Sequence, residues 1–139
     1  NVTGVQTCAL PILLAGAAAV FGLVGGSALL QAQSTEPTRS TKQRVYSETQ
    51  AERGRLLFEG LCTDCHSPRM WGPDWNTNTV ADIFDYVSMY MPEQAPGSLS
   101  AQEYRDIIAF FLKQNGLPAG QADLPDNPDV LKQIKMERN

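Results

Sequence analysis

The chain has 139 residues, of which 42% are hydrophobic, with 11 basic and 15 acidic side chains and a net charge of −4. This length allows one small domain with extensions, and the mildly acidic balance argues against a nucleic-acid-binding protein, which would carry clustered Lys and Arg. Residues 1–34 contain no charged side chain, so every acidic and basic residue lies in the remainder.

The amino-terminal third of the chain is expected to lie outside the folded domain. Residues 1–12 resemble the in-frame translation of a common sequencing-library adapter, so we interpret them, with Cys8, as an artefact. Residues 13–32 are almost entirely apolar or small, and the apolar run at residues 13–30 is 18 residues long, which lies between the length of a signal h-region and that of a spanning helix. We predict a cleaved signal peptide, with a retained membrane anchor as the alternative. Either one implies a periplasmic location.

Residues 33–46 are polar and include Pro37, which predicts a solvated linker. The globular domain is expected to occupy residues 47–139. Its first helix is predicted to begin at Ser47, with Gln50 completing a capping box. One face of this helix carries residues at the i, i+3, i+4, i+7 spacing of a buried stripe. The residues of that face are Gly54, Leu57, Phe58, Leu61, Cys62 and Cys65.

The segment that carries the chemistry reads Cys62-Thr63-Asp64-Cys65-His66. Two thiols three residues apart, followed at once by an imidazole, form the attachment signature of c-type haem. On one helical turn, Cys62 and Cys65 face the same way and can reach two vinyl groups of a porphyrin. His66 then supplies one axial ligand to the iron. The sequence therefore predicts one covalently bound haem c.

Two other chemistries use closely spaced cysteines. A structural zinc site needs four ligands, but outside this motif the chain offers only Cys8 and no second histidine. A thioredoxin-like pair should lie where a strand enters a helix, and no strand pattern precedes Cys62. Haem attachment explains the motif better than either alternative.

The loop after the motif holds candidates for contact with the cofactor. A metal-bound histidine usually donates its second ring N–H to an oxygen. For His66 the predicted acceptor is the carbonyl of Pro73, with that of Pro68 as the alternative. Trp71 and Trp75 are candidates for walls of the haem pocket, although a large aromatic in a small core needs no functional explanation.

Three further helices are predicted, and no stretch shows the sustained alternation of a strand, so the domain is expected to be all-α with three to four helices around the haem. The N-caps are predicted at Thr79, Ser100 and Asn127, with Asp82 and Glu103 in capping-box positions and Pro128 opening the last helix. The predicted inward residues are Val80, Ile83, Phe84 and Val87 of the second helix and Tyr104, Ile107, Ile108, Phe111 and Leu112 of the third.

The second axial ligand is expected to be a methionine, because His66 is the only histidine. Met70 follows His66 by four residues, which span at most ~14 Å, too little to round the porphyrin edge comfortably. Met136 lies in the tail. Met89 falls inside the second helix and is interpreted as core filler, whereas Met91 begins an irregular run that can present its sulfur to the iron. Met91 is therefore the predicted ligand.

These features resemble the class I c-type cytochromes, and more narrowly the small single-haem cytochromes found beside periplasmic quinoprotein alcohol dehydrogenases. The resemblance covers residues 46–136. It is carried by Gly54 and Phe58 before the haem motif, by Met91-Pro92 with Ala95-Pro96-Gly97-Ser98-Leu99-Ser100, and by Tyr104-Arg105-Asp106-Ile107-Ile108-Ala109-Phe110-Phe111-Leu112.

The resemblance implies a small cytochrome c fold with Met91 as the axial sulfur. It also implies that Gly54 and Phe58 contact Phe110 where the first and last main helices cross, although periodicity alone places Phe111 inward. Only 24 residues separate His66 from Met91, fewer than is usual in that family, so the loop below the haem is expected to be trimmed.

An iron held between His66 and Met91 has no open position for a substrate, so the chain is predicted to be an electron carrier and not an enzyme. The expected partners are a dehydrogenase as donor and an oxidase or another cytochrome as acceptor. One alternative is a haem-based gas sensor or haem enzyme in which Met91 is displaced. Another is a fixed subunit of a respiratory or dehydrogenase complex. Contact with a membrane is expected only through an uncleaved amino-terminal segment.

Overall fold

A computed structural model of the chain describes residues 39–138. The predicted adapter-derived segment 1–12, the export segment 13–32 and the first residues of the predicted linker lie outside that range. Within it, no helix is both long enough and apolar enough to cross a membrane. The helices are α1 (Glu48–Leu61), α2 (Val80–Tyr90), α3 (Ala101–Gln114) and α4 (Pro128–Leu131), with a 3-10 helix at Pro73–Thr77.

The predicted helix starts are confirmed at their N-caps, and the all-α class is confirmed with them. Helices α2 and α3 each begin with a complete capping box. The N-cap hydroxyl accepts from the backbone N–H of the third helical residue, and the carboxylate of that residue accepts from the backbone N–H of the N-cap. The side chain of Asn127 caps α4 by accepting from the backbone N–H of Asp129, and Pro128 occupies the first position. The positive φ of Gly116, 78°, falls two residues after the end of α3, where a left-handed residue stops a helix.

Only one of the two hydrogen bonds of the capping box predicted at the start of α1 is present. Ser47 does cap the helix, because its hydroxyl accepts from the backbone N–H of Gln50 at 3.0 Å. The side chain of Gln50 does not accept a hydrogen bond from the backbone N–H of Ser47, as a capping box requires. Its carbonyl oxygen accepts from the backbone N–H of Leu124 at 2.7 Å, so it ties α1 to the segment between α3 and α4.

Helices α1 and α3 cross with their backbones in direct contact. A Cβ placed on Gly54 would lie 1.8 Å from the carbonyl oxygen of Asp106, so only glycine permits this approach. Arg53 contacts the buried Asp106 carboxylate through two nitrogens, at 2.8 and 3.0 Å. One turn further along α1, the ring centroids of Phe58 and Phe110 lie 5.5 Å apart. The crossing therefore contains the Phe58–Phe110 contact that the family resemblance implied.

Helix α3 is buried on more than one side. The predicted inward residues are all buried, as are Phe110 and even Arg105 and Asp106. Phe110 packs toward α1, whereas Phe111 packs against Trp71 and Trp75 on another side of the helix. Periodicity identified Phe111 and the family resemblance identified Phe110, and both residues are buried.

The prediction that residues 33–46 form a solvated linker is wrong for residues 39–46. The strand Arg39–Ser40 (β1) pairs in parallel with Ile134–Lys135 (β2). Thr41 is fully buried, and its hydroxyl both donates to and accepts from the backbone of Glu137. Two-residue strands are too short to show alternation, so the polar composition hid this pairing.

The carboxy-terminal segment is likewise part of the core and not a tail. Met136 has no exposed surface, and its backbone N–H donates to the carbonyl oxygen of Asn78 at 2.8 Å. The buried hydroxyl of Tyr46 donates to the carbonyl oxygen of Leu117 at 2.7 Å. Both ends of the described chain therefore belong to the main core, where Val45, Tyr46, Ile134 and Met136 join residues of all three long helices in one buried cluster.

Candidate haem site

The haem motif lies in a tight turn at the end of α1. The helix ends at Leu61, and Cys62 is its C-cap. The backbone N–H groups of Cys65 and His66 both donate to the carbonyl oxygen of Cys62, at 3.2 and 2.9 Å. This turn brings the backbone of the three motif residues together. The buried stripe predicted for α1 is wrong at its end, because the helix stops at Leu61 and both Leu61 and Cys65 are exposed.

A cavity of about 310 Å³ lies beside this turn. It is lined from all three long helices and from the segment after α2, and its walls are mostly aliphatic and aromatic. A mainly apolar cavity of this size is typical of a cofactor site. The apolar wall residues include Phe58, Ile83, Val87, Leu99, Ile108 and Phe111.

The four residues predicted for the site all line this one cavity: Cys62, Cys65, His66 and Met91. Cys65 is exposed, whereas the other three are half-buried. The first three come from the α1 turn, and Met91 comes from the C-cap of α2, more than twenty residues later in the chain. The fold therefore brings the motif and the predicted distal methionine to a common space.

The other methionines are placed differently. Met89 was interpreted as core filler, and that interpretation is wrong, because 61% of its surface is exposed on the outer side of α2. Met136 is buried away from the cavity. Met70 lines the cavity while remaining 38% exposed, so it belongs to the wall of the site.

Tyr104 is a site residue whose role the sequence did not reveal. It lines the cavity, only 2% of its surface is exposed, and its hydroxyl donates to the carbonyl oxygen of Met91 at 2.7 Å. Its ring meets that of Phe84 edge to face at 6.2 Å. Helical spacing predicted that Tyr104 points inward, but the acceptor of its hydroxyl depends on how the segment after α2 folds back.

The two tryptophans have different positions. Trp75 lines the cavity, as predicted, while Trp71 lies behind the wall and stacks on Phe111 at 5.5 Å. The indole nitrogen of Trp71 is buried and has no hydrogen-bond partner among residues 39–138.

The acceptor for the second ring N–H of His66 stays a prediction. The hydrogen bonds of the described residues do not test whether the carbonyl oxygen of Pro73 or that of Pro68 takes this role.

The electrostatics of the motif do not favour redox-thiol chemistry. Burial raises the pKa of the Cys62 thiol, whereas reactive cysteines have a lowered pKa. In the part of the chain that the structure describes, no group of three or more His, Cys, Asp and Glu side chains is arranged to hold a metal ion.

Large apolar side chains at the mouth of the cavity fit a bulky planar cofactor. Leu61, Met70 and Tyr86 line the cavity and yet keep 49%, 38% and 54% of their surface exposed. Clustered exposure of this kind marks a surface that a ligand covers. A porphyrin attached at the adjoining cysteines would cover such a mouth, so the residues present fit haem.

A small all-α domain with a c-type attachment motif at an apolar cavity defines a haem protein of the cytochrome class. Residues 49–111, which span α1, α2 and most of α3, match the family model described as cytochrome c oxidase, cbb3-type, subunit III. The chain is thus a c-type cytochrome with a small cytochrome c fold and covalently bound haem c, and it serves in electron transfer. Comparison with curated proteins and with solved structures gives no significant match.

Proposed function

We propose that this chain is a periplasmic one-electron carrier, with haem attached at Cys62 and Cys65 and iron held between His66 and Met91. The observation that carries the proposal is that one cavity collects all four side chains. The imidazole of His66 and the thioether of Met91 would both hold the iron, and the haem would supply reversible one-electron chemistry without leaving a site for substrate.

The chain's own residues set the conditions for that chemistry. The apolar walls from α1, α2 and α3 keep water from most of the cavity, and a thioether ligand raises the reduction potential of haem iron. A buried hydroxyl on α3, that of Tyr104, holds the backbone of Met91. Together these features favour a carrier of relatively high potential over a catalytic haem.

The proposed electron donor is a periplasmic dehydrogenase and the proposed acceptor a terminal oxidase or another cytochrome. The family resemblance to cytochromes found beside quinoprotein alcohol dehydrogenases supports the donor, and the oxidase-subunit family match supports the acceptor. The apolar composition of residues 13–32 and the covalent haem both support export, because such a segment directs secretion.

Stopped-flow reduction by a purified quinoprotein alcohol dehydrogenase, run beside a carbon monoxide titration, tests the carrier proposal. We expect rapid reduction by the dehydrogenase, and almost no carbon monoxide binding by the reduced protein at neutral pH, because both axial positions are filled. Rapid binding of carbon monoxide, with no reduction by the dehydrogenase, would instead support a gas sensor or haem enzyme with a displaced Met91.

A second candidate is a fixed haem subunit of an oxidase complex, favoured by the description of the matching family. The two candidates differ in where the mature protein resides. Expression of the full chain in a host that matures c-type cytochromes, followed by salt washing of the membranes, distinguishes them. Haem that stays with the membranes and purifies with an oxidase catalytic subunit supports the fixed subunit, whereas release with the periplasmic fraction supports the diffusing carrier.

A further inference from the structure

Charge is distributed unevenly along the chain. Residues 70–104 contain five acidic side chains and no Lys or Arg, while the rest of the chain contains the other ten acidic and all eleven basic side chains. This acidic segment includes α2 and the Met91 segment, which form one side of the cavity. The segment that supplies this side of the cavity is therefore acidic throughout, although the whole chain has a net charge of only −4.

Helix α2 presents a solvent-facing side made of both acidic and apolar residues. Val80, Ala81 and Ile83 are buried, and at 100° per residue the exposed side chains fall on the opposite arc of the helix. We call this arc the α2 outer face. It consists of Asp82, Asp85, Tyr86, Met89 and Tyr90, all of them exposed.

A haem in the cavity would account for only part of the exposure of this face. Tyr86 lines the cavity, but Met89 and Tyr90, which are 61% and 52% exposed, do not, so a group confined to the cavity would not contact them. The rings of Tyr86 and Tyr90 pack on each other with centroids 5.1 Å apart. The pair therefore connects the cavity wall to a solvent-exposed aromatic surface.

We propose that the α2 outer face is the docking surface for a redox partner protein whose own contact surface is basic around an apolar centre. This inference rests on the proposed carrier function and specifies the partner. Tyr and Met are enriched at interface centres, and the two aspartates would steer a basic partner into contact. A second copy of the chain is disfavoured, because two such faces would bring like charges together.

The test measures electron transfer from the reduced full-length holoprotein to oxidised mitochondrial cytochrome c, used as a strongly basic probe, over a range of salt concentrations. One electron leaves this protein's ferrous haem and reduces the probe's ferric haem. We expect the wild-type second-order rate constant to fall as salt rises, because salt screens the attraction. Asp85→Lys should lower it about fivefold at low salt and flatten its salt dependence.

Matched controls come from elsewhere on the surface. Asp126→Lys makes the same charge change at an exposed aspartate before α4 and should change the rate less than about twofold. Tyr90→Ser should lower the rate without changing its salt dependence. Leu56→Ser, at a residue that is 60% exposed and does not line the cavity, should leave the rate unchanged. The reduction potential of every variant is measured as well, so that a change in rate caused by docking can be separated from one caused by a changed driving force for electron transfer.

The outcomes separate this inference from the proposed function. Equal effects of Asp85→Lys and Asp126→Lys, or a wild-type rate that rises with salt, would refute the docking surface while leaving the carrier function intact. A self-associating holoprotein whose dimer is broken by Tyr90→Ser would also refute it in favour of a second copy. No electron transfer to the probe at any salt concentration, despite a favourable potential difference, would overturn both proposals.

Discussion

The hydroxyl of Tyr104 donates a hydrogen bond to the carbonyl oxygen of Met91, with 2.7 Å between the two oxygens. Met91 is the C-cap of α2 and Tyr104 lies in the first turn and a half of α3, so the bond joins the two elements on either side of the intervening loop. The tyrosine ring is almost completely buried. The position of the proposed axial ligand therefore depends on a residue outside its own loop.

Replacing Tyr104 with Phe should loosen the Met91 segment while keeping the ring in place. Loss of a buried hydrogen bond should lower the free energy of unfolding by about 1 kcal/mol and make Met91 easier to displace. We expect a weaker far-red sulfur-to-iron absorption and measurable carbon monoxide binding. Tyr90→Phe, at a half-exposed ring, is the control. A Tyr104→Phe protein that is less stable but has an unchanged far-red band would show that the tyrosine supports the fold and not the ligand.

Met91→Ala should abolish the far-red absorption of the oxidised protein, whereas Met89→Ala should preserve it. Met91 lines the cavity and Met89 points outward with 61% of its surface exposed, so the two substitutions separate ligand loss from a general effect on α2. Visible absorption spectroscopy of the purified oxidised proteins measures the difference. Retention of the band in Met91→Ala would refute the assignment and direct attention to Met70, the other methionine on the cavity wall.

Local signals in the sequence predicted the elements that have strong local causes. The capping box between Thr79 and Asp82 depends only on residues three apart, and so does the turn that joins Cys62 to Cys65. Both are present in the structure. The position of Met91 beside the cavity could also be predicted, because the family motif and its irregular surroundings both indicated it.

Contacts between distant parts of the chain could not be predicted from the sequence. Gln50 was assigned to a local box, but its amide bonds a backbone group 74 residues away. Thr41 was placed in a solvated linker, but it pairs with a segment 96 residues away. Tyr104 was read only as an inward residue of α3. In each case a polar side chain finds its partner only after the chain has folded, so no periodicity reveals the contact.

The double variant Cys62→Ser, Cys65→Ser should lose most of its covalent haem. The two thiols flank the turn beside the cavity, and attachment through thioether bonds requires both sulfurs for full retention. Both proteins are exported in a host that matures c-type cytochromes, and peroxidase staining of a denaturing gel then measures the haem that remains attached to each. Haem that acidified organic solvent extracts freely from the wild-type protein would contradict covalent attachment.

At acidic pH, the free energy of unfolding should depend on the protonation of Asp123. Its carboxylate accepts hydrogen bonds from the Ser47 hydroxyl and from the Arg53 guanidinium, and these contacts, with the Ser47 bond as the main cause, lower its pKa. A carboxylate with a lowered folded-state pKa stabilises the protein above its unfolded pKa of about 3.9. That contribution is lost as the pH falls through the lower folded-state value.

We therefore expect Asp123→Asn to lower the free energy of unfolding at pH 7 by less than about 1 kcal/mol, since the group is partly exposed. The difference from wild type should shrink as the pH falls below about 4. Urea denaturation at a series of pH values measures it, with Asp126→Asn as the control at another exposed aspartate. A difference that stays constant from pH 7 down to acid would show that charge at Asp123 is unimportant.

Two glycines of α1 provide a final test, of the helix crossing that supports the cavity. A Cβ on Gly54 would lie 1.8 Å from the Asp106 carbonyl oxygen and 2.9 Å from the Ile107 backbone nitrogen, whereas a Cβ on Gly60 would meet nothing within 4 Å. Gly54→Ala must push α1 and α3 apart and should cost about 3 kcal/mol. Gly60→Ala should stabilise the helix by about 0.5–1 kcal/mol. Thermal unfolding of the two holoproteins measures both changes, and equal melting temperatures would contradict the close crossing.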